Sequence, residues 1–324
     1  MAKLQSSEFV GVANRPATIC VNTVCLWFDT TNLKPMASYC SRSGAGVWSA
    51  GGALITGRAV PVGIGTQNEA VVGGGYSNTN VTCTEEYNGT SWSAGNALIT
   101  ARHWIAGAGT QNVGLASGGA TTVSVSCVEE YNGTNWSAGN GLITARQASG
   151  GAGTQNAGLV AAGYSAANVN VTCTEEYDGI NWAAGGALIT ARRYVGSAGT
   201  QNESFLAGGL LASTYALCTE EYNGTSWSAG GSLITARQIG AGAGTQNEGL
   251  VAAGYTTGAI HVSCTEEYNG TSWSAGGAVI FTRRDMAGAG TQGAGLIMGG
   301  YVNIPYSCTE EYLKSSYTIV DCIL

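Results

Sequence analysis

Tryptophan recurs along this chain at a nearly constant interval, and that period constrains the fold more than any other feature. Successive members of the series are 44 to 46 residues apart: Trp48, Trp92, Trp136, Trp182, Trp227 and Trp273. Such a period is typical of arrays in which each unit buries its apolar face against its neighbours. We therefore expect one array of similar units in the 324 residues rather than two unrelated domains.

Three further markers repeat with the tryptophans. The run Glu-Glu-Tyr-(Asn/Asp)-Gly-x-x-Trp begins at Glu85, Glu129, Glu175, Glu220 and Glu266, and Gly-Thr-Gln begins at Gly65, Gly109, Gly153, Gly199, Gly244 and Gly290. An arginine follows each of the six tryptophans at a fixed place: Arg58, Arg102, Arg146, Arg192, Arg237 and Arg283. Turn residues and alternating apolar residues divide each unit into four strands.

Four short strands in about 45 residues, repeated radially, predict an all-β propeller of four-stranded antiparallel blades. The strand predicted for residues 147–153 is rich in glycine and small residues. It fits the innermost position, because large side chains would collide near the axis. The fourth strand of the same unit is predicted for Trp182–Thr190.

The number of blades depends on how the chain ends are interpreted. Arg15 precedes Arg58 by 43 residues, and Arg15 and Cys40 are spaced like Arg58 and Cys83. These spacings predict a diverged first unit at residues 15–57 and hence seven blades; the alternative is six blades plus an N-terminal segment. The predicted domains are an N-terminal segment 1–14, a propeller 15–312 and a tail 313–324. Either residues 9–15 or residues 318–324 supply the outer strand of the last blade, and the N-terminal strand is favoured.

The order of these markers resembles a known family. An arginine, a small-residue strand, a Gly-Gly or Ala-Gly pair, a Tyr-Asn-Gly turn and a tryptophan follow one another as in kelch repeats, over residues 15–312. The sequence Thr-Glu-Glu-Tyr-Asn-Gly-Thr-Ser-Trp, followed by Leu-Ile-Thr-Ala-Arg, is similar to kelch-type repeats in structural proteins of marine bacteriophages. The resemblance implies a virion component such as a tail fibre or decoration protein.

Charge and composition narrow the class of partner. The formal net charge is −7 with only 13 Lys and Arg residues, which argues against nucleic acid because phosphate contacts need clustered cations. No stretch approaches the ~20 apolar residues of a membrane span, and the first residues show no secretory signal. These features predict synthesis in a cytoplasm, no membrane insertion, and a neutral polar surface suited to glycans or to other proteins.

The repeated charged and sulfur-containing residues are predicted to be structural. Adjacent strand residues face opposite ways, so the two glutamates of each pair cannot act together, and one of them is expected to pair with the recurring arginine. Seven periodic cysteines, Cys40 to Cys308, lie too far apart for disulfides and are expected to be free. Cys20 and Cys25 could meet across a hairpin. A carboxylate ring that binds cations is the alternative for the glutamates.

The sequence contains few residues in an arrangement that predicts catalysis. The two histidines, His103 and His261, occupy non-equivalent positions, and no catalytic triad or zinc-ligand spacing is visible. Asn-Gly-Thr at Asn88, Asn132, Asn223 and Asn269 matches a glycosylation sequon, but Asn-Gly is also a strong hairpin turn. We expect a non-enzymatic protein without cofactor or metal, and turns rather than glycosylation sites.

Differences between the units indicate where a partner binds. The units differ in the loop between strands two and three and just after the repeat arginine, and alternating strand directions place both stretches on one face. Loops on a rigid scaffold are where recognition residues usually lie. The predicted binding residues on this varied face are His103, Trp104, Arg193, Tyr194, Arg284 and Asp285. Expected partners are other virion proteins and host-surface glycans; the alternatives are a cytoplasmic kelch scaffold for protein partners and a carbohydrate-active enzyme.

Overall fold

The computed structural model describes residues 46–238 and 240–314, together with the strand backbones of residues 19–21, 24–29, 34–40 and 319–323. The chain divides into two compact units, Val47–Leu313 and a second unit made of Met1–Gly46 and Lys314–Leu324. The first unit is a β-propeller of six four-stranded antiparallel sheets. The described residues contain no helix that is long and apolar enough to cross a membrane.

We number the blades 1 to 6 in chain order and their strands from the axis outward. The innermost strands are Val62–Gly65, Ala106–Thr110, Gly150–Thr154, Gly196–Gly199, Ala241–Gly244 and Ala287–Gly290. The second strands are Ala70–Gly73, Val113–Ser117, Ala157–Ala161, Ser204–Ala207, Gly249–Ala252 and Ala294–Met298. The third strands are Thr84–Tyr87, Val128–Tyr131, Thr174–Tyr177, Thr219–Tyr222, Thr265–Tyr268 and Thr309–Leu313. The outer strands are Trp92–Gly95, Trp136–Gly139, Trp182–Ala184, Trp227–Ala229, Trp273–Ala275 and Val47–Ala50.

Two short ribbons accompany these blades. Arg146–Gln147 pairs with Tyr164–Ser165, and Tyr255–Thr256 pairs with Ile260–His261. The first ribbon joins the connection before blade 3 to the start of the loop between its second and third strands, and the second ribbon lies within that loop of blade 5. They extend the blades on the face where the units differ in sequence.

The small residues of the innermost strands are required by contact between neighbouring backbones. A Cβ atom added to Gly242 would lie 2.4 Å from the carbonyl oxygen of Ser197, and one added to Gly288 would lie 2.3 Å from that of Gly242. Side chains at these places would force the blades apart. The predicted assignment of the glycine-rich strand to the axis is therefore confirmed. Along the axis the strands enclose cavities of about 130 and 110 Å³.

The repeated sequence markers form the contacts between blades. In blade 2, Trp136 Nε1 donates to Thr84 Oγ1 of blade 1 at 2.9 Å, and the Tyr131 hydroxyl donates to the Glu86 carboxylate. Gln111, from the Gly-Thr-Gln turn, donates to the backbone carbonyls of Ala70 and Tyr87 at 2.9 and 2.7 Å. Each unit is thus held to the preceding one through the second and third strands of that blade, which explains the strict period.

The same contacts join blade 1 to blade 6, so the ring closes after six blades. Trp92 Nε1 donates to Thr309 Oγ1 at 3.0 Å, and the Tyr87 hydroxyl donates to Glu311 Oε1 at 2.5 Å. The expectation of seven blades is wrong, whereas the alternative of six is what the structure shows. The predicted first unit at residues 15–57 is not a separate blade, because its Trp48 pairs with Tyr312 and lies in the outer strand of the last blade.

The strand that closes the ring is also not the predicted one. Val47–Ala50 pairs with Thr309–Leu313 in the outer position of blade 6. The N-terminal side of the chain does supply this strand, but the segment differs from the predicted residues 9–15, which lie outside the described residues. The C-terminal strand Ile319–Ile323 pairs instead with Lys34–Cys40.

The second unit contains one four-stranded sheet, in the order Ile19–Val21, Val24–Asp29, Lys34–Cys40 and Ile319–Ile323. Its first two strands form a hairpin whose register places Cys20 opposite Cys25. This backbone register agrees with the expected meeting of the two cysteines; a disulfide between them stays a prediction.

Buried ion pairs confirm the predicted pairing of arginine with one glutamate of each pair. They are Arg58–Glu85, Arg102–Glu129, Arg146–Glu175, Arg192–Glu220, Arg237–Glu266 and Arg283–Glu310, with side chains at most 2% exposed. The carboxylate also accepts backbone N–H groups, such as those of Ile99 and Thr100 at 2.7 and 3.2 Å from Glu129. Charges this deeply buried are stable only when paired and hydrogen-bonded.

The outer strands are shorter than predicted, because the carboxylates of these ion pairs bind N–H groups of the residues that follow the strands. In blade 3 the outer strand ends at Ala184 rather than at Thr190. The N–H groups of Ile189 and Thr190 are bound by Glu220 of the next blade and are not part of the sheet. The segment from the outer strand to the next blade is thus an irregular connection held by a buried ion pair.

The periodic cysteines from Cys83 to Cys308 are free, as predicted. Their environment is more polar than a hydrophobic role implies, since Arg58 Nη2 donates to Cys83 Sγ at 2.9 Å. The Asn-Gly stretches are hairpin turns. In the turn at Asn132, Oδ1 accepts the N–H groups of Thr134 and Asn135 at 3.0 and 2.8 Å, and Gly133 has φ +82°.

Candidate functional site at the channel mouth

The predicted binding residues lie on the connections that lead from each outer strand to the innermost strand of the next blade. These connections cross the varied face and meet around the channel. The residue next to the axis in each connection is Val60, Trp104, Ala148, Tyr194 or Asp285, and we call these five residues the mouth ring. The sixth equivalent residue, Ile239, lies outside the described residues. Trp104, Tyr194 and Asp285 of the predicted set are thus brought together.

Every member of the mouth ring has a left-handed backbone conformation, with φ between 48° and 65°. This conformation costs a residue with a side chain about 1–2 kcal/mol, so glycine normally takes such positions. Here no described blade uses glycine. The strain is accepted in five equivalent places, which is the kind of observation that points to a functional role for the side chains.

Backbone hydrogen bonds between blades fix this conformation. Trp104 N–H donates to the Val60 carbonyl at 2.9 Å, Ala148 to Trp104 at 3.1 Å, and Tyr194 to Ala148 at 2.9 Å. Val60 N–H donates to the Asp285 carbonyl at 2.6 Å and joins blade 1 to blade 6. The backbones of Val60, Trp104 and Ala148 are therefore each held between two neighbours around the axis.

Aromatic side chains line one side of the mouth. The rings of Trp104 and Tyr194 lie 5.5 Å apart, because the residue between them in the mouth ring is the small Ala148. His103 packs against Trp104 at 4.4 Å, and its Nδ1 contacts Asn80 Oδ1 at 2.8 Å. A cavity of about 90 Å³ opens between Trp104, Tyr194, Ile105, Val195 and Met286.

The two predicted arginines occupy equivalent places and both stack on tyrosine rings. The Arg193 guanidinium lies 4.2 Å from the centre of the Tyr164 ring and 5.3 Å from that of Tyr194. The Arg284 guanidinium lies 4.7 Å from Tyr255 and 5.7 Å from Tyr301. Stacking of this kind is favourable and orients the planar cation. Arg193 Nη1 also donates to Asn170 Oδ1 at 3.0 Å.

Titration of the site depends on burial. Burial raises the pKa of Asp285 to about 6, and the nearby Arg284, with Nε 3.5 Å from Asp285 Oδ2, offsets part of that shift. Burial lowers the pKa of His103, and burial together with Arg284 lowers the pKa of His261. Both histidines are therefore neutral at pH 7, and the positive charge of this face comes from Arg193 and Arg284.

The tyrosines under the arginines were not among the predicted residues. Tyr76, Tyr164, Tyr255 and Tyr301 each follow the second residue of the Gly-Gly or Ala-Gly pair, and in blades 2 and 4 alanine and leucine stand there. Their recurrence was visible in the sequence, but their role depends on the next connection around the ring. The predicted residues are half-buried rather than fully exposed, and Asp285 is only 9% exposed.

The architecture defines a class: a closed six-bladed propeller with an aromatic and cationic mouth on one face. Comparison with known proteins adds no family to this class, because the chain matches no protein-family model and no curated protein. Within the described residues, no group of three or more His, Cys, Asp or Glu side chains is placed to hold a metal ion. The arrangement offers stacking surfaces, cations and hydrogen bonds.

Proposed function

We propose that this protein is a non-enzymatic, kelch-type recognition propeller carried on a phage particle as a fibre, tail or decoration component. Its varied face engages a host-surface glycan or a neighbouring virion protein. The observation that carries the proposal is the mouth ring, in which Trp104, Tyr194 and Asp285 keep side chains where glycine would relieve strain. The kelch-type and phage assignments rest on the resemblance of the repeats.

The rest of the varied face supports recognition by a preorganised surface. Asn80 links blade 1 to His103, and Asn170 links blade 3 to Arg193, so the loops are tied to the following connection. A rigid aromatic surface loses little conformational entropy on binding. Aromatic residues and arginine are also the residue types that carry most binding energy in interfaces.

A non-enzymatic role is favoured by the chemistry of the conspicuous groups. The first glutamate of each Glu-Glu dipeptide forms a buried ion pair with arginine. The second accepts a tyrosine hydroxyl of the next blade, as Glu130 does from Tyr177. Neither set points into the mouth as an acid and base pair. Asp285, beside Arg284, is the acid at the mouth.

The double variant Trp104→Ala/Tyr194→Ala tests the face assignment. Both changes introduce the residue that blade 3 already carries as Ala148, so the fold should tolerate them. We expect binding to host cells or to virion proteins to fall at least tenfold, since two stacking anchors at about 1–2 kcal/mol each are lost. The matched control is Glu69→Gln/Glu203→Gln on the opposite face. Equal loss in both double variants, or in neither, would refute the assignment.

Mass spectrometry of purified particles tests the virion location. Recovery of the protein in stoichiometric amount with particles supports the proposal. Its absence from particles, with recovery in a cytoplasmic complex, would favour the alternative scaffold. Release of reducing sugar from a bound glycan, lost in the Asp285→Asn variant, would instead establish a carbohydrate-active enzyme.

A further inference from the structure

Two arginines of the propeller lie outside the buried Arg–Glu ion pairs. Among the described residues, six of the eight arginines are consumed by the buried ion pairs. The remaining two, Arg193 and Arg284, both lie directly after a paired arginine and beside the mouth ring. Their guanidinium planes rest on tyrosine rings and are half-buried rather than extended into solvent. This is the geometry of a recognition group rather than of a solvating charge.

Charge is divided between the two faces of the propeller. Glu69, Glu203, Glu248 and Asp178 are exposed, and all four lie on turns of the face opposite the mouth. Within the part of the chain that the structure describes, the mouth carries Arg193 and Arg284 against one acid, Asp285. The protein as a whole is acidic, so this local reversal is a specific feature of the mouth and favours an anion there.

Several polar atoms around the mouth lack a partner. Trp104 Nε1, Gln147 Oε1, Ser149 Oγ, Gln238 Oε1 and Asp285 Oδ1 are buried and have no hydrogen-bond partner among the described residues. Buried polar groups are normally satisfied by protein, water or ligand. Two of these residues, Trp104 and Ser149, line the cavity of about 90 Å³ beside the mouth and offer it an indole N–H donor and a hydroxyl group. Hydroxyl groups, which both donate and accept, suit such a mixture better than carboxylates alone.

We propose that the channel mouth binds a carboxylated saccharide, with its ring against Trp104 and Tyr194 and its carboxylate on Arg284 or Arg193. The aromatic faces accept the C–H side of a sugar ring, the unpartnered groups accept its hydroxyls, and the planar guanidinium groups match a carboxylate in a bidentate way. This inference rests on the proposed function, because it specifies the ligand of the same face. The ligand is a glycan and not an acidic peptide, since a peptide offers few hydroxyl groups to the unpartnered polar atoms.

Calorimetric titration of the full chain with defined probes tests the inference. The probes are trigalacturonate and sialyllactose, each beside its methyl ester, and hexaglutamate as an acidic peptide. We expect at least one carboxylated saccharide to bind at least tenfold more tightly than its ester, because a charge-assisted hydrogen bond is lost in the ester. Binding should weaken as salt is raised from 0.05 to 0.5 M.

The chain itself provides the matched variants. Arg193→Gln and Arg284→Gln introduce the residue that Gln147 and Gln238 already place in equivalent connections, and Glu203→Gln is the control on the opposite face. One of the arginine variants should abolish the preference for acid over ester, whereas Trp104→Ala should weaken acid and ester alike. The control should change neither.

The outcomes separate this inference from the proposed function. If neither saccharide is preferred over its ester, or if hexaglutamate binds and the saccharides do not, the carboxylated-saccharide site is refuted. The proposed function still stands in that case if Trp104→Ala/Tyr194→Ala abolishes binding to host cells or virion proteins. If the saccharide preference is found but survives both arginine variants, the assignment to the mouth is refuted.

Discussion

The turns of the uniform face and the mouth ring of the varied face fill positive-φ positions in opposite ways. On the uniform face, which carries the Thr-Gln-Asn and Asn-Gly turns, the left-handed or positive-φ positions are glycines, such as Gly109 at φ +106°. On the varied face the equivalent positions of the mouth ring carry Val, Trp, Ala, Tyr and Asp. The first choice minimises strain and is repeated without change. The second accepts strain, and its side chains differ in every blade described.

The difference indicates that the residues of the uniform face serve stability and, under the proposed function, those of the varied face serve recognition. The uniform face uses its residues to hold blades together, as Gln111 does through the carbonyls of Ala70 and Tyr87. The varied face can depart from low-strain choices because buried ion pairs and the backbone ring of the mouth already fix its connections. Three predictions follow from this contrast, in order of decreasing effect.

The largest effect is expected from Glu129→Ala, which removes the support under a connection of the varied face. Arg102 would be left buried without its partner, and the N–H groups of Ile99 and Thr100 would lose their acceptor. We expect a loss of about 3–5 kcal/mol in the free energy of unfolding, measured by urea denaturation. The neighbouring Glu130→Ala breaks only the hydrogen bond from Tyr177 and should cost about 1–2 kcal/mol. Equal losses would mean that the ion pair is not what holds the connection.

A smaller effect of opposite sign on the two faces is expected from exchanging glycine and alanine. In Gly109→Ala, the new Cβ would lie 2.2 Å from the Val113 carbonyl oxygen, and we expect a loss of about 2–4 kcal/mol. In Ala148→Gly, relief of about 1–2 kcal/mol of strain offsets about 0.8 kcal/mol from one buried methyl group, so a small gain is expected. Thermal unfolding measures both. A clear loss in Ala148→Gly would contradict the strain assigned to the mouth ring.

The smallest effect depends on pH and concerns Asp285. Its pKa in the folded protein is raised to about 6 from 3.8, so the folded state holds the proton more tightly than the unfolded chain. The protonated form stabilises the fold below about pH 4 relative to higher pH, and stability is lost as the pH rises through 6. Asp285→Asn should therefore gain up to about 3 kcal/mol at pH 8 and little at pH 4.

The matched control for that prediction is Asp178→Asn on the uniform face. Backbone N–H groups of Asn181 and Ile180 lower the pKa of Asp178, and four other blades carry asparagine in that turn, at Asn88, Asn132, Asn223 and Asn269. This exposed replacement should change the unfolding temperature little at either pH. A gain at pH 8 in both variants would show that removal of net negative charge, rather than burial of Asp285, is responsible.

Much of the fold could be predicted from particular residues. Alternation and turn residues predicted four strands per unit, and the small residues of the stretch 147–153 predicted the axial strand. Glu175 and Glu176 are adjacent on a strand, which predicted that only one of them pairs with arginine. In the structure Glu175 pairs with Arg146. The candidate site was predicted by comparison of the units with one another, which found Trp104, Tyr194 and Asp285. It could not find Tyr164 or Tyr255, whose contacts with arginine come from the neighbouring blade.

The sequence by itself determined the repeated unit, its four strands and the face on which the units differ, because strand alternation, turn chemistry and small-residue placement are local properties. Only the tertiary structure decided the number of blades and the closing strand. In a closed ring the boundary between first and last unit is set by pairing between distant parts of the chain, as between Trp48 and Tyr312 or between Ser49 and Glu311, which are 262 residues apart. It also decided the mouth ring, since the left-handed conformation of Trp104 depends on a hydrogen bond to the Val60 carbonyl of another blade.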